Sequence, residues 1–318
     1  MSTQNGTNHS CLVTGGAGFI GSNLCHELLL KSYSVICVDN LISGSEKNIE
    51  RLKSHPDFTF IRWDVVKELP ILPKVDYVFH LASPASVPDY QNNPEETARV
   101  NSEGTRNLLK FAKVYKAKFL FTSTSEIYGD PLEHPQKESY WGNVNPIGDR
   151  ACYDEAKRYG EMMTMLYHNK HGVDTRIIRI FNTYGPYMRK DDGRVISNII
   201  NQALSGAPIT VYGDGSQTRS FCFVSDMVNG LMGMMFSPDT NGQVVNIGNP
   251  QEISMLEIAK KIKAMTKSKS EILFKSLPAD DPIRRKPDIT NVRKLTGWNP
   301  EITLEEGLEK TIEYYRSI

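Results

Sequence analysis

Thr14-Gly15-Gly16-Ala17-Gly18-Phe19-Ile20-Gly21 is the stretch on which the fold turns. It follows a short apolar run, Cys11–Thr14, and opens an amphipathic segment, Ile20–Leu30. Glycines at 15, 18 and 21 allow a sharp turn, close approach of the backbone to a pyrophosphate, and tight packing of a helix on a strand. The following helix N-terminus offers unpaired N–H groups and the positive end of its dipole to phosphate oxygens. A glycine-rich turn without a ligand is the competing reading. It weakens at Asp39-Asn40, which end the second apolar run 18 residues beyond Gly21. A carboxylate there accepts hydrogen bonds from both ribose hydroxyls and repels a 2′-phosphate, which favours NAD over NADP. Asp64-Val65, ending a third run, fits the adenine edge, although an Asp in that place also serves as a simple cap. Gly15, Gly18, Phe19, Ile20, Asp39, Asn40, Asp64 and Val65 are the cofactor contacts expected from this end of the chain.

Outward from the turn, short β-branched runs alternate with helical stretches as far as Phe181. The expected strands are Cys11–Thr14, Ser34–Asp39, Phe58–Trp63, Tyr77–Leu81, Phe119–Ser123 and Thr175–Phe181, with amphipathic helices such as Val100–Tyr115 between them. Apolar strands separated by helices predict an α/β fold, a Rossmann-type doubly wound parallel sheet covered on both faces. Beyond Phe181, prolines from Pro186 to Pro287 punctuate shorter elements, with helices expected at Val195–Leu204, Asp226–Met235, Met255–Met265 and Leu304–Tyr315. Residues 1–181 read as the NAD-binding domain, with later segments returning to it. Residues 182–318 read as a smaller, mixed α/β substrate domain.

Composition narrows the class without naming a function. The 318 residues carry 37 Lys+Arg against 37 Asp+Glu, so net charge is zero and binding to nucleic acid or an anionic membrane is not expected. No apolar run approaches a membrane span, and MSTQNGTNHS does not read as a signal peptide. Five scattered cysteines without a Cys-x-x-Cys pair suggest reduced packing residues of a cytoplasmic protein. The seven histidines show no metal spacing, and His80 reads as packing.

Tyr153 and Lys157 stand i,i+4 on a helical stretch running to about His171, sharing one face. A phenol is a poor base at neutral pH, but a neighbouring ammonium and a nicotinamide cation both lower its pKa. Lys157 can also hold the cofactor ribose. Tyr-x-x-x-Lys alone is a common surface pair. It gains weight from Phe121-Thr122-Ser123-Thr124-Ser125-Glu126, which ends a strand and supplies a hydroxyl partner.

With these features together, the chain resembles the extended short-chain dehydrogenase/reductase family, and within it the enzymes that decarboxylate UDP-glucuronate. The stretches carrying the resemblance are Ser123–Pro131, Tyr140–Gly148 and Asp281–Ile289. The resemblance implies catalytic roles for Thr124, Glu126, Tyr153 and Lys157, and NAD contacts from Tyr153, Lys157, Thr183 and Arg194. It implies sugar-nucleotide contacts from Ser125, Asn182, Arg219 and Arg285. Guanidinium forks match diphosphate oxygens; Arg285 has the sugar carboxylate or proton transfer as alternatives. A homodimer through the helices near 100–115 and 152–170 is implied as well, with Met162, Met163 and Met165 as core or subunit contacts. The family pattern leads one to expect Pro, Ser and Gly where Asp149, Ala151 and Ala156 stand, and Arg in place of Tyr187.

Chemistry then separates the reactions open to such a family. All begin with oxidation at C4 of the sugar. Dehydration needs an acid to expel hydroxide, and Ser125 beside Glu126 is not an adequate one. A uronic acid oxidised at C4 is a β-keto acid that loses CO2 without a protonated leaving group. Thr124 and Tyr153 suit enolate stabilisation, and Glu126, directly or through water, suits control of C5 and proton delivery. The expected function is NAD-dependent, redox-neutral decarboxylation of UDP-glucuronate to UDP-xylose through a 4-keto intermediate, with UDP-glucuronate or a related UDP-sugar as the ligand. The alternatives are a 4-epimerase, an oxidative decarboxylase releasing the keto sugar, and a non-catalytic NAD-binding regulator.

Overall fold

The computed structural model describes residues 9–277 and 284–318. Asp281, Pro282 and Ile283, from the last of the three family-like stretches, lie outside the described residues. The first six strands are β1 (Ser10–Thr14), β2 (Ser34–Asp39), β3 (Phe58–Arg62), β4 (Tyr77–His80), β5 (Lys118–Thr124) and β6 (Thr175–Ile180). All six fall within a residue of the expected ends, because each is a short β-branched or aromatic run between turn residues.

A seventh strand, Gln243–Ile247, completes the central sheet, whose order is Gln243–Ile247, β6, β5, β4, β1, β2, β3. Every neighbouring pair in it is parallel. The chain winds outward from β1 in both directions, so the carboxyl ends of β1 and β4 flank a crevice where loops diverge. Helix α1 (Phe19–Leu30) packs on one face with the helix Val224–Phe236. The helices Thr105–Tyr115 and Ala151–His171 pack together on the other. Two apolar layers result, one around Val13, Leu24, Leu28 and Met235, the other around Leu12, Leu108, Phe119 and Phe121.

Packing sets the height of the Ala151–His171 helix above the sheet. A Cβ at Gly160 would stand 2.3 Å from the Phe121 ring, so glycine is required for this helix to settle on β5. Glu161 reinforces the seat: it accepts both a 2.6 Å hydrogen bond from the Ser123 hydroxyl and a bidentate pair, each 2.9 Å, from Arg179 on β6. His80 is buried and joins Thr14 (2.8 Å) to Thr105 (3.1 Å). Burial pushes it down to about 3, so it is a neutral packing residue.

The later half carries the expected helices at Val195–Ser205, Val224–Phe236, Met255–Thr266 and Leu304–Ser317. Capping boxes Ser254/Glu257 and Thr303/Glu306 start the last two. It also carries short strands that the sequence pattern did not announce, among them Thr218–Ser220 between Glu252–Ser254 and Arg284–Arg285. Their pairing brings Arg285 into register beside Arg219.

Candidate active site

At the carboxyl end of β1 the glycine turn does what its spacing implies. Gly15 has φ +74, and a Cβ there would lie 2.7 Å from the Ala82 nitrogen. A Cβ on Gly21 would stand 2.1 Å from the Gly15 carbonyl oxygen. No side chain caps α1, whose Gly18 N-cap is extended. Asp39 is buried at the end of β2; its carboxylate accepts from the backbone N–H of Ala17 (3.0 Å) and Leu41 (2.8 Å). Burial raises its pKa against those two hydrogen bonds. The Asn40 side chain accepts from Ile42 N–H, and Asp64 accepts from Val66 N–H, each at 3.0 Å.

One cleft gathers these residues. Gly15, Gly18, Phe19 and Ile20 share it with Asp39, Asn40, Asp64 and Val65; Thr124, Ser125, Glu126, Tyr153, Lys157, Asn182, Thr183 and Arg194 line the same space. Arg219 and Arg285 lie outside it. They line an adjoining cavity that shares Glu126, Asn182, Thr183 and Arg194 with the first. The two cavities meet at Glu126.

Thr124 ends β5 and caps the turn Ser125–Tyr128, accepting from Glu126 N–H at 3.2 Å. Tyr153 is buried and stacked on Tyr90 with ring centroids 5.1 Å apart. The anticipated lowering of its pKa does not come from the chain alone. Burial pushes the phenol up to about 12, Thr124 and Arg194 pull it down, and Glu126 and Asp154 push it further up. Lys157 donates to the Thr122 carbonyl at 2.7 Å and is itself pushed down to about 7 by burial, opposed by Glu161. A lysine titrating near neutrality carries only part of the expected charge.

Glu126 departs further from expectation. Both its oxygens are engaged, one by Arg285 and the other by Arg150. Burial would raise this carboxyl, but the two guanidiniums outweigh it and hold the group down to about 2. At neutral pH Glu126 is an anion with no proton to deliver to C5. Arg285 is buried and also donates to the Gly129 carbonyl at 3.2 Å. Arg219 donates to the Thr218 carbonyl at 2.9 Å. The Thr183 hydroxyl donates to the Phe181 carbonyl at 2.9 Å, the Asn182 carbonyl accepts from Cys222 N–H at 2.9 Å, and Arg194 lies 3.5 Å from Asp192.

Three neighbours escaped the sequence reading. Arg150 precedes Tyr153 by three residues, a spacing that puts both at the start of one helix and could have drawn attention to it. Asp154 is buried 4.0 Å from Arg150, and burial followed by Glu126 raises it to about 7. Tyr90 shows no sequence signal, since its stacking on Tyr153 joins elements far apart in the chain. Of the family departures, Ala151 opens its helix without a side-chain cap, and Tyr187 takes φ +72.

These residues fit NAD. The glycine cradle has no room for a Cβ at 15 or 21, Asp39 stands where a ribose would meet it, and Asp192 in the cleft wall keeps a buried oxygen without a hydrogen-bond partner. Similar proteins bear on the same point. UDP-glucuronic acid decarboxylase 1 of Xenopus tropicalis is 52% identical over 305 residues, covering 96% of this chain and 72% of that one. UDP-glucuronic acid decarboxylase 5 of Arabidopsis thaliana is 51% identical over 311 residues, 98% of this chain and 90% of that one. Among solved structures, UDP-glucuronic acid 4-epimerase from Bacillus cereus, in complex with UDP-glucuronic acid and NAD, superposes with a TM-score of 0.88 at 30% identity, over 97% of this chain and 99% of that one. The model of the NAD dependent epimerase/dehydratase family matches residues 11–248, and the chain belongs to that family.

Proposed function

We propose that this protein is an NAD-dependent UDP-glucuronate decarboxylase that forms UDP-xylose through a 4-keto intermediate and ends with its cofactor unchanged. The observation that carries the reading is the convergence, where two cavities meet, of Tyr153, Lys157 and Thr124 with a carboxylate-binding pair, Arg150 and Arg285. The decarboxylase relatives support the same activity.

Gly15, Gly18, Phe19, Ile20, Asp39, Asn40, Asp64 and Val65 would hold NAD, with Thr183 and Arg194 at its nicotinamide end. NAD held there would supply a reversible hydride acceptor for C4 of the sugar. Tyr153 takes the C4 hydroxyl proton as base, and the positive charge of the loaded site favours its phenolate. Arg150 and Arg285 orient the uronate carboxylate. Glu126 neutralises one of their two charges, so the leaving carboxylate is held without the full ground-state stabilisation that would oppose CO2 loss. As the C5–C6 bond breaks, its electron pair moves onto the C4 oxygen, where Thr124 and protonated Tyr153 donate hydrogen bonds. C5 takes a proton from solvent, with Glu126 ordering water rather than serving as the acid. Tyr153 finally returns its proton to the C4 oxygen. Arg219, in the adjoining cavity, serves the UDP half.

We also infer a homodimer. Tyr159, Met162 and Leu166 form an exposed apolar stripe on the Tyr153 helix, and Val114 is exposed on the helix Thr105–Tyr115 that packs beside it. Light scattering should give twice the chain mass, reduced to one by Met162→Glu. Five free cysteines, four of them buried, support a reducing cytoplasmic setting, which imaging of a fluorescent fusion tests. For the reaction, purified protein with NAD and UDP-glucuronate should release CO2 and UDP-xylose without net NADH. A 4-epimer with the carboxylate retained, accumulating NADH with a keto sugar, or no turnover of UDP-glucuronate would each overturn the assignment.

A further inference from the structure

Arg189 lies outside the chemistry described so far, yet it spans the rim of the cofactor cleft. One arm of its guanidinium donates to the Ser43 carbonyl at 2.9 Å, in the loop after β2. The other donates to the Asp89 carboxylate at 2.8 Å, on the short helix Val87–Asn92. Its own carbonyl accepts from the Tyr315 hydroxyl at 3.3 Å, on the C-terminal helix. The segment just before it is tied down as well. Asn23 of α1 donates to the Pro186 carbonyl at 3.3 Å, and the Arg51 guanidinium lies 3.8 Å from the Tyr187 ring centre.

The Ser43 loop is anchored in turn to the glycine turn. Ser45 N–H and the Asn48 amide both donate to the Ala17 carbonyl, each at 3.0 Å. Ser43, Asp89, Tyr187 and Arg189 all line the cleft that holds Gly15 and Asp39. The contacts therefore run in series from the glycine turn to the Ser43 loop, to Arg189, to Asp89. Arg189 Nε also donates to the Asp191 carboxylate at 3.2 Å, so the guanidinium is held between two carboxylates and a carbonyl at the wall of the cleft that would hold a dinucleotide.

We infer that Arg189 is a cofactor-retention residue, whose bridge between Ser43 and Asp89 must open before NAD can leave. The inference rests on the redox-neutral reading above, in which loss of cofactor in mid-cycle would strand the 4-keto sugar. A planar fork can hold two acceptors at once, which a lysine ammonium does poorly.

The test loads the full chain with radiolabelled NAD, chases with unlabelled NAD, and follows release. Arg189→Ala should release NAD about tenfold faster, Arg189→Lys nearly as fast, and Asp89→Asn about threefold faster. The Asp89→Asn/Arg189→Ala double variant should be no faster than Arg189→Ala, since both remove the same bridge. Melting of the NAD-free chain should be unchanged to within about 2 °C, which separates retention from general loosening. Release from Arg189→Ala within twofold of wild type would overturn the inference, as would effects of the two substitutions that multiply. Should Arg189→Ala not fold, unchanged release from Asp89→Asn overturns it alone. A wild-type chain that binds no NAD would sink the reaction assignment itself, a result visible before any variant is compared.

Discussion

Glu126→Gln removes one negative charge from between Arg150 and Arg285 while keeping the side chain's size. The wild-type carboxyl sits at about 2 in the folded protein against 4.5 unperturbed. At about 1.4 kcal/mol per pH unit, that difference stabilises the fold by about 3 kcal/mol at neutral pH. Part of the loss is recovered. With Glu126 neutral, one cause of the raised Asp154 pKa disappears, and Asp154 ionises 4.0 Å from Arg150. A net destabilisation of about 2 kcal/mol is expected, less than the cost of breaking a fully buried pair, because Arg150 and Glu126 keep some exposure. The sign with pH follows from the depressed carboxyl. Its contribution is complete above about 4.5 and fades as pH falls toward 2. Urea unfolding of NAD-free wild type and variant, at one protein concentration, should show the full gap at pH 7 and 5 and a smaller one at pH 3. A variant as stable as wild type at pH 7, or a gap that does not narrow at pH 3, would refute the assignment of Glu126 as a clamped anion.

Tyr153→Phe should lower turnover by about 10²-fold or more while equilibrium dialysis still shows NAD binding; near-normal CO2 release would reject the base. Lys157, depressed to about 7 from 10.5, binds fewer protons folded than unfolded between those values. NAD-free stability should therefore rise with pH across that window, and Lys157→Met should lose the rise while abolishing activity. Equal pH slopes for the two proteins would contradict the burial argument. Gly21→Ala places a Cβ 2.1 Å from the Gly15 carbonyl oxygen, so NAD affinity should fall at least about tenfold, with a loss of about 2 kcal/mol in stability. Calorimetric titration with NAD returning a wild-type affinity would show that the turn can give.

The glycine turn, Asp39 and the Tyr153/Lys157 pair are legible because each is local: a few residues within one turn or at one strand end carry the whole signal. The strand Gln243–Ile247 was not read, since its Gln-Val-Val-Asn-Ile run is short and its partner, β6, lies far back in the chain. Arg285 was read as a diphosphate ligand, with the sugar carboxylate or proton transfer as alternatives. Its salt bridge to Glu126 joins residues 159 positions apart, and no spacing rule reaches that far. Tyr90 belongs to the same class, visible only once its ring lies on Tyr153.

What the sequence by itself determined is the order of the first six strands and the longer helices, the dinucleotide turn, and the phenol–ammonium pair one helical turn apart. These follow from backbone sterics and the two periods of regular structure, which act over neighbouring residues. The tertiary structure alone decided the charge states. Tyr153 and Lys157 carry the expected residue types, yet burial moves the phenol up to about 12 and the ammonium down to about 7. Glu126, expected to control C5 and proton delivery directly or through water, is an anion between two arginines, which favours the route through water. A pKa depends on how much water is excluded and which charges stand within a few ångströms, and both are properties of packing between distant segments.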